Sequence, residues 1–382
     1  MKFSKSLLWA FAGLGLFACS NEEVVPEGGS MDGNSTVTVK INLPKLLTES
    51  RSGNGILPGE ETTGTTGDQT PVVIGEKGVK VTLYAASGIS EQPVTMSDDN
   101  TRTGSVTFAN VRTPQRVEVS VNGGTNADLT IDEINTAGLA APLHGESAAF
   151  NLDDETGNYT ITVTPEPRYA RLELSGISHD TDHGTGNSCI FKTANLAGMF
   201  LDNVWVTEKS NAGMVNVAAD AGIWNKINTA AYASPTWSTL GGDFLAGTTW
   251  PAAGNCYAYS LFGETQLPSV VFVLDGATLE FNSGVQMAGY TEGADLYARV
   301  SKFVINKPAD WEQKKEEYKT EYGVDDNGQF ISFKAGYIYQ ISGIAIPDKA
   351  WGITPGGGTN VSVIATVNVL PWTIVEGTVD WN

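Results

Sequence analysis

The chain has 382 residues, enough for two domains with cores of their own, and its 43 acidic against 23 basic residues give a formal charge of -20. That balance excludes nucleic acid and anionic lipid headgroups as partners, since both need a basic footprint. With 43 Gly, 16 Pro and three Cys, the composition predicts many turns and a fold held by buried area, with no disulfide framework.

The N-terminus reads as an export signal. Lys2 and Lys5 form a positive n-region, Leu7 to Phe17 is an apolar run too short to span a bilayer, and Ala18 leads into Cys19. Residues 1–18 are therefore expected to be a signal peptide. Leu16-Phe17-Ala18-Cys19 resembles a bacterial lipobox, which makes Cys19 the expected lipidation site, and the acidic Ser20-Asn21-Glu22-Glu23 resembles an outer-surface sorting signal. Residues 20–34 read as a polar tether.

The period then changes. Val37, Val39, Ile41 and Leu43 alternate with polar residues and form one apolar face of a predicted strand over 36–43, which Pro44 ends. A polar, Gly- and Thr-rich linker of about two dozen residues follows, too poor in apolar side chains to pack. It isolates the first strand from the others. Arg51, the only Arg in the first 101 residues, stands in that accessible stretch.

Alternating strands are then predicted at Val79–Tyr84, Ser105–Phe108, Val117–Val121 and Tyr159–Val163, with a short helix within Asp128–Leu139. Pro165-Glu166-Pro167 marks a domain boundary. Beyond it, strands are predicted at Tyr169–Leu174, Val204–Val206, Cys256–Phe262, Val270–Leu274, Tyr297–Val300, Phe330–Phe333, Tyr337–Ile346 and Val361–Val369. A helix is predicted at Pro308–Tyr322, with Trp311, Lys315, Tyr318 and Tyr322 in one stripe. The fold class implied is all-β, mainly strand with a few short helices, in two β-sandwich-like domains in tandem.

The tail is apolar at alternate positions, with Val375, Gly377, Val379 and Trp381 on one parity and Glu376, Thr378 and Asp380 on the other. Such a terminal strand needs a groove, in its own domain or in a neighbour. Chemistry is sparse elsewhere. His179-Asp180-Thr181-Asp182-His183 reads as a solvated turn ahead of a metal site, because zinc needs three or four convergent ligands. Asp325-Asp326-Asn327-Gly328 reads as a hairpin turn, with calcium left open. Cys189 and Cys256 could pair or serve as small core residues. No phosphate loop, nucleophile elbow or zinc-protease helix occurs in the sequence, so no enzyme, cofactor or metal is expected.

Taken in order, these features resemble the fimbrillin family, subunits of type V pili, over essentially the whole chain. The resemblance rests on Cys19, the isolated strand Val37–Leu43, Arg51 with its linker, Tyr169-Ala170-Arg171-Leu172-Glu173-Leu174 after a proline break, and the Trp-containing tail. It implies transthyretin-like sandwiches and a lipoprotein precursor, held at the outer membrane through its lipid and matured into cell-surface fimbriae that support adhesion. It also implies cleavage between Arg51 and Ser52 by an Arg-specific, trypsin-like protease, with loss of a lipidated propeptide, 19–51. The sandwich domains would then be 52–166 and 167–366. A donor strand, 367–382, carrying Trp372, Ile374, Val375, Val379 and Trp381, would enter other copies of the chain or related pilins. The alternative is a monomeric surface lipoprotein that binds glycan or a host ligand through exposed aromatics.

Overall fold

The computed structural model describes residues 35–47, 61–62, 69–97, 102–125, 129–137, 140–180, 189–205, 207, 238–252, 255–263, 267–281, 289–354, 363–371 and 373–374. Cys19, Arg51, Ser52, Trp372, Val375, Val379 and Trp381 lie outside the described residues, as does His183.

The chain is all-β, with two α-helices among the described residues. Its first half contains β1 (Ser35–Asn42), β2 (Lys45–Leu47), β3 (Glu61–Thr62), β4 (Gln69–Pro71), β5 (Val79–Ala85), β6 (Gly88–Val94), β7 (Thr103–Val111) and β8 (Pro114–Val121). Helix α1 (Ile131–Thr136) follows, then β9 (Leu143–Ser147), β10 (Asn151–Asp153), β11 (Asn158–Val163) and β12 (Glu166–Pro167). Two sheets are formed, one in the order β10-β11-β1-β7 and one in the order β12-β9-β8-β5-β6. Alternation explains how they pack. Val79, Val81 and Leu83 of β5 and Val117, Val119 and Val121 of β8 are buried beneath the apolar face of β1 in one cluster, while the intervening polar residues face outward.

The second half contains β13 (Tyr169–Ser175), β14 (Ile177–Asp180), β15 (Cys189–Asp202), β16 (Ser238–Asp243), β17 (Thr249–Trp250), β18 (Asn255–Phe262), β19 (Ser269–Phe281) and β20 (Leu296–Ile305). It closes with α2 (Trp311–Tyr322), β21 (Tyr337–Ser342), β22 (Ala345–Pro347), β23 (Val363–Pro371) and β24 (Thr373–Ile374). A nine-stranded sheet runs β16-β15-β19-β20-β23-β21-β13-β18-β3, and a three-stranded sheet runs β17-β14-β22.

The parallel neighbours β13 and β21 leave the large sheet together and continue as the parallel pair β14 and β22. The change of sheet occurs at Gly176 and Gly343, both at positive φ (65° and 74°). A Cβ on Gly176 would stand 2.8 Å from the Gly343 nitrogen, so both the turn and the close approach need glycine. This is why the run Tyr337–Ile346, which reads as one strand, is two. Phe330 and Phe333, expected on a strand, are buried core aromatics, Phe330 taking part in an isolated bridge to Val324. Val204 likewise makes no extended ladder.

Helix α2 ends at Gly323 in the left-handed conformation, φ 72°. Trp311 and Tyr318 stack at 5.9 Å between centroids, and Tyr318 and Tyr322 at 5.4 Å, so the predicted aromatic stripe is the face that packs. Among the described residues no helix is long and apolar enough to cross a membrane.

Candidate functional site

A strand from the beginning of the chain lies inside a sheet. β1 pairs in parallel with β11, from Val37–Tyr159 to Ile41–Val163, and antiparallel with β7, from Val37–Phe108 to Asn42–Thr103. Leu43 extends the antiparallel side by donating its N–H to the Arg102 carbonyl at 3.1 Å. The Thr36 N–H donates to Asn158 Oδ1 at 2.9 Å at the other end. Both backbone edges of β1 are therefore used.

Its side chains divide by parity, as the sequence predicts. Val37, Val39 and Ile41 are fully buried and Leu43 is 6% exposed, while Thr36, Thr38, Lys40 and Asn42 are half-buried on the other face. Thr38 and Thr107 exchange a hydroxyl hydrogen bond at 3.0 Å on that outer face. Beneath Ile41 the partner residue on β7 is Gly104, where a Cβ would meet Met96 Sδ at 2.5 Å. The absent side chain at Gly104 leaves room for Met96 and Val94 beside this strand.

The next residues of the same segment make a second, smaller contact. β2 is the middle strand of a three-stranded sheet ordered β24-β2-β4. Lys45 pairs with Ile374 and Leu46 with Thr373 on one side, and Lys45, Leu46 and Leu47 pair with Pro71, Thr70 and Gln69 on the other. One run of chain, Ser35–Leu47, therefore fills the N-terminal sandwich and touches the C-terminal segment. Ile374, expected in a donor strand, is held here by the residue that follows Pro44. Alternation alone gives no signal for this pairing, because two-residue ladders are too short to show a period.

Before that segment, Val363–Pro371 is an unbroken strand of the large sheet, parallel to β20 and antiparallel to β21. Val367 is fully buried there. Helix α1 meets β18 of the large sheet, where Asn135 behaves as a strand edge. Its Oδ1 accepts from the Ser260 N–H at 2.7 Å, and its Nδ2 donates to the Ser260 carbonyl at 2.9 Å. Thr130 caps α1 in a capping box with Glu133.

Several polar groups that the sequence singles out are engaged in structure. His179 lies on β14, where its Nε2 meets Asp348 Oδ1 at 2.8 Å and its ring lies 4.8 Å from that of Phe244, so it is a packed residue and no solvated turn. Asp325 Oδ1 accepts from the N–H groups of Asn327 and Gln329, both at 2.8 Å, and Asp326 pairs with Lys319 at 2.6 Å. That loop is a turn tied to α2. Cys256 lies buried in β18.

Glu118, His144 and Glu146 bring three ligand-type side chains within 4.8 Å of one another. Arg116 already lies between the carboxylates, hydrogen-bonded to Glu118 and 3.4 Å from Glu146, with its guanidinium over the Tyr84 ring. Burial pushes the Glu118 pKa up, but the hydrogen bonds from Arg116 and Tyr84 outweigh it and hold the carboxyl below its usual value. Burial, with help from Arg168, pulls the His144 pKa below its ordinary value.

No family model matches this sequence, and no curated protein does. A fimbrilin from Porphyromonas gingivalis is 14% identical with a TM-score of 0.44, over 90% of this chain and 100% of that one. The chain is similar to fimbrial proteins of known structure. A protein from Bacteroides eggerthii, provisionally described as a cell adhesion protein, is 11% identical with a TM-score of 0.43, over 90% and 98%. A tip fimbrial protein from Porphyromonas gingivalis, with C-terminal truncation, is 9% identical with a TM-score of 0.34, over 88% and 100%. At these identities and scores, function has to be argued from the chain's own geometry.

Proposed function

We propose that this chain is a structural subunit of a surface fibre, a stalk pilin that polymerises by exchange of one β-strand. The observation that carries the proposal is the position of β1. A strand near the start of the chain, followed by a long polar linker, occupies the middle of a sheet with its apolar face fully buried. Its loss would expose four side chains worth about 1.5–3 kcal/mol each, about 6–12 kcal/mol together. That is comparable to the whole stability of a typical domain, about 5–15 kcal/mol. It would also bare two rows of backbone groups on β7 and β11, a template for an incoming strand.

In this reading residues 1–18 direct export, Cys19 carries the lipid that holds the precursor at the outer membrane, and an Arg-specific protease cuts between Arg51 and Ser52. The bed left by Val37, Val39, Ile41 and Leu43 is filled by the C-terminal strand of another copy or a related subunit. The transferable part of that tail begins after Pro371, because Val363–Pro371 completes β23. It then includes Trp372, Ile374, Val375, Val379 and Trp381. Donor and bed are different surfaces of one subunit, so the contact propagates as an open filament. The uncut precursor fills its own bed and stays monomeric.

The test is a trace of trypsin on purified precursor, followed by an unboiled gel. A ladder whose new N-terminus is Ser52 supports strand exchange, and removal of residues 375–382 should abolish the ladder while leaving the folded subunit intact. A chain that is cut at Ser52 and remains monomeric would overturn the proposal, and would favour a monomeric surface protein that binds a glycan.

A further inference from the structure

We propose that β2 is a latch on the C-terminal tail, so that the same cut that opens the bed also releases the donor. The inference rests on the strand-exchange reading, and it adds a control on the donor end.

The latch follows from strand order. β2 is the central strand of β24-β2-β4, and the pairs Lys45–Ile374 and Leu46–Thr373 join the two ends of the chain. Only Leu43 and Pro44, both of them buried, separate β2 from β1, so the two strands are one continuous run. Both lie before Arg51 and leave together after cleavage. Taking out a middle strand leaves β24 and β4 with no strand between them, and each loses the pairing that the sheet gives it. The root of the tail, Thr373–Ile374, is then attached to the body through Pro371 and β23 alone among the described strands.

The uncut chain is thereby inert at both ends. Its bed is filled by β1, and the first residues of its tail are paired with its own propeptide. Without the latch, an uncut precursor could still donate its tail to a mature subunit and end a growing fibre with a lipid-bearing cap. With it, donation and acceptance both wait for the protease.

The test uses the full uncut chain and hydrogen exchange. In Leu46→Pro the central strand loses an N–H and the extended geometry that both neighbours need. Whichever amide of Thr373 and Ile374 faces β2 should exchange about tenfold faster than in the wild type, as expected for loss of a net hydrogen bond of up to about 1.4 kcal/mol. Amides of Ser35–Asn42 should keep their protection. Unchanged exchange at 373 and 374, with β2 itself released, would overturn the latch.

Should Leu46→Pro loosen β1 as well, a second variant decides. Lys45→Cys with Ile374→Cys places thiols on paired positions, and mild oxidation should close a loop between the chain ends. After a trypsin cut at Arg51 the oxidised chain should retain its propeptide and stay monomeric, and reductant should restore the ladder. Failure to cross-link, or a full ladder from the oxidised chain, would overturn the latch. A wild-type chain that is cut yet never forms a ladder would instead remove strand exchange. The exchange and cross-linking results would still say whether β2 holds the tail.

Discussion

His144 shows how one side chain couples this surface to pH. It sits on β9 beside Ser120 and Glu166, faced by Arg116 and Arg168 as well as by Glu118 and Glu146. Burial, the largest cause, and the charge of Arg168 lower its pKa in the folded state, so folding favours the neutral ring. The unfolded chain takes up its proton near pH 6.5. Stability from this group is therefore complete above about pH 6.5 and is lost as pH falls from there toward the lower folded value. His144→Gln should flatten that part of the stability curve. Urea unfolding at pH 7.5 and 5.5 checks it: the wild type should lose more stability than the variant between the two, and equal losses would exclude His144 as the cause.

At the scale of elements, β1 fills the place between β7 and β11, and its apolar face lies in the core of the N-terminal sandwich. A chain produced from Ser52 onward should lack the cooperative unfolding of its N-terminal sandwich, because about 6–12 kcal/mol of burial is missing. A synthetic peptide spanning residues 35–47 should restore that transition and raise the melting temperature. The same peptide with Asn at 37, 39 and 41 should not, and equal rescue by both peptides would mean that side-chain burial does not hold the strand. Much of this was legible beforehand. Val37, Val39, Ile41 and Leu43 announce their buried face by simple alternation, and the aromatic stripe of α2 appears at helical spacing. The partners of β1 were not legible, since Phe108 and Gly104 on β7 and Ile161 on β11 are separated from it by several intervening strands and loops. Nor was β2, whose three residues carry no period, or the pairing of His179 with Asp348, which joins distant segments through the change of sheet at Gly176 and Gly343. The tail read well up to a point: Val363–Pro371 is a strand as its alternation implies, and its burial in the large sheet moves the start of any transferable segment beyond Pro371.

Across the whole molecule, α1 is one of the links between the two halves, beside β3 on the large sheet and the β24-β2-β4 sheet. Asn135 satisfies the Ser260 N–H and carbonyl together, covering a part of β18 that lies beyond its short pairing with β3. Asn135→Ala should cost about 1–3 kcal/mol, since it leaves both backbone groups of a buried residue without these bonds. Denaturant unfolding followed at the two domains should then separate into two transitions, whereas a single unshifted transition would show that the joint is held elsewhere.

The placement of β23 has a mechanical corollary. A pull on a tail that leaves from Pro371 acts along β23, and its ladder bonds to β20 and β21 run across that direction. Load would be shared by both ladders in shear, with no single bond at the front of a peeling edge. A strand seated between β7 and β11 in the next subunit would be loaded in the same way. A fibre linked like this resists flow at each joint through many weak bonds in parallel, without a covalent link between subunits.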